Sequence, residues 1–401
     1  MSEKRKDHKG RLLRTGESQR KDLIYQYRYT DVLGKRQTVY SSDLHELRDR
    51  EDEIRKRLDE GVDYAAGDVS VIELLERYIG LKQGVRYNTK KGYDFVLSLV
   101  KKEEFGRRKI RDIKVSDAQM WMMKLHNDGR AYCTITSIKG VVKPAFQLAY
   151  NEDAIRKNPF GFKLSDVVAN DSRKRVALTD EQQTIWMDFI QQDKVFSKYY
   201  DEFIVLLGTG MRVSEFCGLT DNDLDFNQRK ISVDHQLLRD RDTKEYFVER
   251  TKTESGRRFI PMSEDVCKSL KSIIANRQKA KTEFIVDGYR KFLLLDINGR
   301  PKVALHIENV IQRAVEKFYK VYPTKSLPWI TPHVFRHTFC TNMANAGMDV
   351  KTLQYLMGHS DVSVTLNVYT HTNYNRVAEQ MAKIVDIRQL QKQSEKRSEL
   401  M

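Results

Sequence analysis

The sequence predicts a multi-domain chain, mainly α with small β: an N-terminal three-stranded sheet plus one helix, a four-helix unit, and a mixed α+β third part. Three observations lead there. The chain has 401 residues, more than a single hydrophobic core usually supports. Runs rich in β-formers are confined to the first 42 or so residues and to a stretch between 231 and 262. Elsewhere apolar residues recur at helical spacing behind paired start signals: Ser70 with Glu73, Ser116 with Gln119, and Thr179 with Gln182.

Taken in order, runs at 23–29 and 36–40 flank a turn at Gly34. Alternation sets Tyr25, Tyr27 and Tyr29 on one face and Gln26 and Arg28 on the other. Asp43, with Glu46 three residues on, opens a charged helix to about Glu60. The second unit starts at Ser70, ahead of Ile72, Leu75, Tyr78 and Ile79, and continues with helices at 88–102, 116–127 and about 132–151. Gly140 and Pro144 should kink the last, and leave open whether it is one helix or two. Asn158, Pro159 and Phe160 end the unit, and the polar stretch 165–175 reads as a linker. The third part has helices near 180–192 and 198–208, strands at 231–238, 245–249 and 258–262, then helices again. The Lys- and Glu-rich tail after about Lys383 is either a helix that packs elsewhere or disordered. No internal repeat is evident.

Lys plus Arg number 71 against 56 Asp plus Glu, a net charge of +15. That excess favours a polyanionic partner, nucleic acid ahead of a membrane, although charge alone does not decide it. Cys133, Cys217, Cys267 and Cys340 are scattered without a Cys-x-x-Cys, and read as reduced, packed thiols. The N-terminus lacks the apolar segment of a signal peptide and no run is long enough to span a bilayer, so a cytoplasmic, nucleoid-associated protein is expected.

Six widely spaced residues suggest chemistry. In the run Gly208-Thr209-Gly210-Met211-Arg212-Val213-Ser214-Glu215, a glycine turn between apolar helices brings Arg212 to a junction, with Glu215 one turn on to orient it. A surface arginine beside a loop is the bland alternative. Lys252, between two strand patterns, is placed near a hairpin tip, where a lysine could protonate a leaving oxygen or simply be solvated. Thr331 fits a helix N-cap and Pro332 the first helical position, which puts His333 and Arg336 one turn apart where an anion would be favoured. His333 and His337 also have zinc-helix spacing, but Val334 stands where a metalloprotease needs Glu, and no third ligand is evident. Arg336 could equally belong to a structural ion pair, and His337 suits a satisfied buried position. Gly358 ends a helix just before His359, and Tyr369 follows ten residues later in an apolar helix, where tyrosine is ordinarily core. A phenol needs a base and a charge-neutralised phosphorus to act as a nucleophile, and the preceding cations could supply both.

These contexts resemble the tyrosine recombinases, the lambda-integrase family, most closely the integrases of conjugative transposons. The resemblance rests on Thr-Gly-Met-Arg-Val-Ser-Glu around Arg212, on Lys252, on His333-x-x-Arg336-His337, on Leu-Met-Gly-His359 and on Tyr369. It implies an arm-type DNA-binding domain over 1–65, a helical core-DNA-binding (SAM-like) domain over 66–164, a catalytic domain over 176–385 and a tail over 386–401. It implies that Tyr369 attacks a phosphodiester to form a 3′-phosphotyrosyl link and that Lys252 protonates the leaving 5′-oxygen. Arg212 and Arg336 would clamp the non-bridging oxygens, His333 act as acid/base and His359 bond the phosphate, with Glu215 in support. Gln26, Arg28, Arg36 and Tyr40 are the expected arm-site contacts, though a solvated strand face would look the same. No cofactor, ATP or metal is expected. The implied partners are double-stranded DNA at core and arm sites, a homotetramer on that DNA, an excisionase and a host DNA-bending protein, with the residues from Asn373 onward docking on a neighbour. The implied function is integration and excision of a mobile element; type IB topoisomerase-like relaxation and a non-catalytic DNA-binding regulator are the alternatives.

Overall fold

The computed structural model describes residues 5–31, 34–59, 66–172, 176–251, 256–277, 283–369 and 381. The chain forms two compact units, Met1–Arg173 and Lys174–Met401.

The first unit opens with an antiparallel sheet of β1 (Glu17–Gln19), β2 (Tyr25–Thr30) and β3 (Arg36–Ser41), in that order. Helix α1 (Leu44–Asp59) starts at Asp43, whose carboxylate accepts from the amides of His45 and Glu46 at 2.7 and 3.1 Å. Tyr25, Tyr27 and Tyr29 are buried with Leu44, Leu47 and Ile54 of α1, as the period-2 alternation requires. β1 carries no apolar signal; Glu17 is fully buried and held by Arg48 of α1 at 3.0 Å. Opposed residues point to the same side of a sheet, so the pairs Gln26↔Tyr40, Arg28↔Thr38 and Thr30↔Arg36 share the face away from α1.

The helical part comprises α2 (Val71–Gly80), α3 (Tyr87–Lys102), the one-turn α4 (Glu104–Arg107), α5 (Val115–Asn127) and α6 (Tyr132–Asn151). The Ser70–Glu73 box forms, and of the expected stripe Leu75 is buried while Ile72 and Tyr78 pack at its edge; Val71 and Leu74 are buried beside them. The Ser116 box does not form: α5 begins a residue earlier, and Asp117 accepts from the Lys114 amide at 2.8 Å. α6 is a single helix that continues through Pro144. Its inner face, Ile135, Ile138, Val142, Ala145, Phe146 and Ala149, stays buried along its length, and this packing outweighs the one backbone bond that proline removes. Part of the expected linker is not one, because Val168 packs into this core and Asp171 accepts from the Tyr132 amide at 3.0 Å.

In the second unit, the reciprocal Thr179–Gln182 box starts α7 (Asp180–Gln192), followed by α8 (Tyr200–Thr209) and α9 (Val213–Gly218). The strand run expected at 231–238 breaks at Asp234. β5 (Lys230–Val233) joins β4 (Leu224–Asp225) and β8 (Arg258–Pro261) in one sheet, whereas β6 (His235–Arg239) pairs with β7 (Tyr246–Arg250) in another. Helices α10 (Glu264–Ala275), α11 (Ala304–Val321), α12 (Pro332–Asn345), α13 (Val350–Met357) and α14 (Val362–Tyr369) complete it. The core gathers Trp186, Phe203, Phe216, Phe318 and Phe335. Cys217, Cys267 and Cys340 are buried free thiols, but Cys133 is exposed and not packed as expected. Among the described residues no helix is long and apolar enough to cross a membrane.

Candidate active site

Helix α8 ends at Gly210, whose φ of +62° is a left-handed cap that favours glycine. A Cβ there would lie 2.3 Å from the Phe339 ring, so the turn also needs glycine for space. The chain then reaches Arg212, the N-cap of α9. Glu215 accepts from the Arg212 amide at 2.9 Å and from its Nη1 at 2.7 Å, which fixes backbone and side chain together. The Arg212 side chain remains 38% exposed, whereas that of Glu215 is 3% exposed. The arginine therefore presents itself to solvent from a buried carboxylate.

Helix α12 starts as its sequence requires: Thr331 Oγ1 accepts from the Val334 amide at 3.3 Å, and Pro332 occupies the first turn. His333 is exposed, His337 is half-buried and Arg336 is buried. His333 and Arg336 thus sit one turn apart but at different depths. Arg336 Nη1 donates to the Gly210 carbonyl at 2.7 Å and Nη2 to the Met357 carbonyl. Burial, then the nearby Arg212, pushes Arg336 down to about 9, so it is still a cation at neutral pH.

Helix α13 supplies the meeting point. It ends at Gly358 with φ +61°, leaving orphan carbonyls at its C-terminus. Three consecutive carbonyls take one arginine each: Leu356 from Arg258 Nε at 2.7 Å, Met357 from Arg336, and Gly358 from Arg212 Nη2 at 3.0 Å. Arg258 also meets Glu215 through Nη2 at 2.7 Å and Nη1 at 3.2 Å. Burial acts to raise the Glu215 carboxyl, but Arg258, Arg212 and Arg336 outweigh it and hold it at about 2. His359 follows directly, with Nδ1 3.0 Å from Thr365 Oγ1. Burial first, then Arg336, Arg212 and Arg258, push His359 down to about 4, so its imidazole is neutral at pH 7.

The structure therefore brings Arg212, Glu215, Arg336 and His359 together. It adds Arg258, which the sequence reading treated only as the start of a strand. A signal for it exists, since Arg258 shares the buried face of β8 with Ile260. Tyr369 ends α14, half-buried against the cluster of Phe339, Cys340, Ala344, Leu353 and Met357, and its hydroxyl donates to the Met348 carbonyl at 2.5 Å. Lys252 and the residues from Asn373 to 380 lie outside the described residues, as does the tail beyond 381. The hairpin expected on either side of Lys252 does not form between the described strands: β7 pairs with β6 and β8 with β5.

Of the arm-site candidates, Arg28, Arg36 and Tyr40 are exposed and Gln26 is half-buried, where its Nε2 donates to Ser18 Oγ at 2.8 Å. All four share one sheet face. The Arg20 guanidinium lies 5.7 Å from the centre of the Tyr40 ring, a contact that no spacing in the sequence announced.

Residues 177–376 match the model of the phage integrase family, and residues 1–58 match the DNA-binding domain of Tn916 integrase. The transposase of transposon Tn1545 from Streptococcus pneumoniae is 42% identical over 397 residues, covering 96% of this chain and 97% of the relative. The transposase of Tn916 from Enterococcus faecalis is 41% identical over the same shares. The solved Tn1549 transposon integrase in complex with a circular intermediate DNA is 42% identical with a TM-score of 0.75, covering 79% of this chain and 99% of that one. With near full-length identity above 40% to transposon enzymes and a family match over the unit that holds the arginine cluster, the chain belongs to the phage integrase family and is a site-specific tyrosine recombinase of the conjugative-transposon type.

Proposed function

We propose that this recombinase cuts and rejoins double-stranded DNA at the ends of a conjugative transposon through Tyr369. The Tyr369 oxygen attacks the scissile phosphorus while the bond to the 5′-oxygen breaks, leaving a 3′-phosphotyrosyl link and a free 5′-hydroxyl. His333 takes the phenolic proton and Lys252 gives one to the leaving oxygen. Arg212 and Arg336 neutralise the charge that grows on the non-bridging oxygens, and Glu215 orients Arg212. His359, neutral at pH 7, donates a hydrogen bond to the phosphate. No step needs ATP or a metal, since the phosphotyrosyl bond conserves the energy of the one broken.

The observation that carries this reading is the convergence of Arg212 and Arg336 on adjacent carbonyls beside His359. The bond from Tyr369 to the Met348 carbonyl supports a resting position that the phenol leaves before attack.

In the same reading, residues 1–65 bind arm sites through Gln26, Arg28, Arg36 and Tyr40, residues 66–164 and 176–385 grip the core site, and 386–401 form a tail. Four copies assemble on two duplexes, with the residues from Asn373 onward docking on a neighbour. An excisionase and a host DNA-bending protein are further partners in this reading. The +15 net charge supports a location on the cytoplasmic nucleoid.

A duplex of the element's end sequence, nicked next to the cleavage position so that the short leaving strand diffuses away, tests the reading. The wild-type protein should accumulate a covalent protein–DNA adduct and Tyr369→Phe none. Absence of adduct from the wild type, or an undiminished adduct from the variant, refutes it.

A further inference from the structure

Arg258 differs from the other two clustered arginines in where its donors go. Unlike Arg212, whose side chain is 38% exposed, it has no exposure, and unlike the buried Arg336, whose Nη atoms meet only carbonyls, it is ion-paired to a buried carboxylate. Nε donates to Leu356, Nη2 to Glu215, and Nη1 to both Glu215 and the Gly256 carbonyl. Each of its three nitrogens is therefore committed within the protein. It cannot reach a phosphate without breaking a buried, charge-assisted pair, the kind of contact that is costly to open. What it does hold is Glu215 and the end of α13. Through Glu215 it fixes the carboxylate that grips Arg212 by amide and guanidinium. Through Leu356 it ties strand β8 to the helix end whose next two carbonyls hold Arg336 and Arg212.

From this geometry we infer that Arg258 is a positioning residue for phosphoryl transfer, acting through Glu215 and the end of α13 to hold Arg212 and Arg336 in place for the two non-bridging oxygens. The inference rests on the proposed roles of those two arginines. A lysine cannot replace it, because one ammonium on a flexible stem does not bridge a carboxylate and two carbonyls in fixed directions.

The readout that separates positioning from simple stabilisation is the substrate's own charge. A methylphosphonate at the scissile position replaces one charged non-bridging oxygen with a methyl group, so a poorly held clamp matters less. For each enzyme, the rate of adduct formation on the phosphodiester is divided by the rate on the methylphosphonate duplex of the same sequence. The ratio does not depend on the fraction of protein that is folded. In Arg258→Gln the ratio should fall at least about tenfold below wild type, mainly through loss of the phosphodiester rate. Arg258→Lys, which keeps a positive charge beside Glu215, should fall in the same direction. A wild-type ratio in Arg258→Lys, with a melting curve that shows it folded, overturns the inference whatever Arg258→Gln does. Failure of the wild type to form adduct on the phosphodiester would instead sink the proposed function itself.

Discussion

At the scale of single residues, the buried Glu215 links the arginines of the site. One buried carboxylate accepts from two arginines and lies close to a third, which is why its pKa falls despite its desolvation. Its folded value of about 2 lies below its ordinary 4.5, so the unfolded chain binds the proton first as pH falls. The stabilisation is fully present above pH 4.5 and is lost as the pH drops through that window toward 2. Glu215→Gln leaves Arg258 buried without its counter-charge and should cost about 3–5 kcal/mol in urea denaturation at pH 7. The variant's stability should also vary less between pH 4.5 and 2 than that of the wild type. A variant as stable as wild type would mean that the carboxylate contributes no net electrostatic stabilisation.

At the scale of elements, the end of α13 organises the site. Its orphan carbonyls carry the negative end of the helix dipole, and three guanidiniums from the starts of α9 and β8 and from α12 meet them. The carbonyls point correctly because Gly358 takes the left-handed conformation that closes the helix. Gly358→Ala must either accept roughly 1–2 kcal/mol of backbone strain or turn those carbonyls away. We expect a modest drop in melting temperature with a loss of adduct formation of more than about tenfold, larger than the stability change accounts for. Equal losses in both would mean that the cap serves stability alone. The β elements teach a related point. Residues 231–238 look like one strand by composition, yet Asp234 breaks them into members of two sheets, since strand partners are chosen by packing and not by propensity.

At the scale of the whole molecule, the N-terminal sheet and the helical part each bury a separate apolar cluster, the first on α1 and the second between α2 and α6. Removal of residues 1–65 therefore leaves the second cluster intact. That truncation should still form adduct on an isolated core site while losing strand exchange between two complete element ends. Unchanged strand exchange would remove any arm-binding role from Gln26, Arg28, Arg36 and Tyr40. Those four residues lie on a face that the sequence could propose only in part. Alternation separated Gln26 and Arg28 from the tyrosines, but the register of β2 on β3 was needed to put Arg36 and Tyr40 beside them.

Much of this protein was legible in its sequence because the signals are local. Caps at Ser70, Thr179, Thr331 and Gly358 depend on hydrogen bonds a few residues away, and the buried face of the tyrosine strand follows from period-2 geometry. The Arg212–Glu215 contact spans three residues and was equally readable. Signals that compete with packing were misread at the Ser116 start and at the hairpin expected between β7 and β8, and Pro144 left open a question that only packing closed. Arg258 was missed for a different reason. Its partners Glu215 and Leu356 are 43 and 98 residues away, and only the folded chain brings them within hydrogen-bonding distance. The sequence determined which residues could do the chemistry, because residue type and local context are written in order along the chain. The tertiary structure alone decided which of them share one helix end, because long-range contacts are made by burial and have no spacing that can be read in advance.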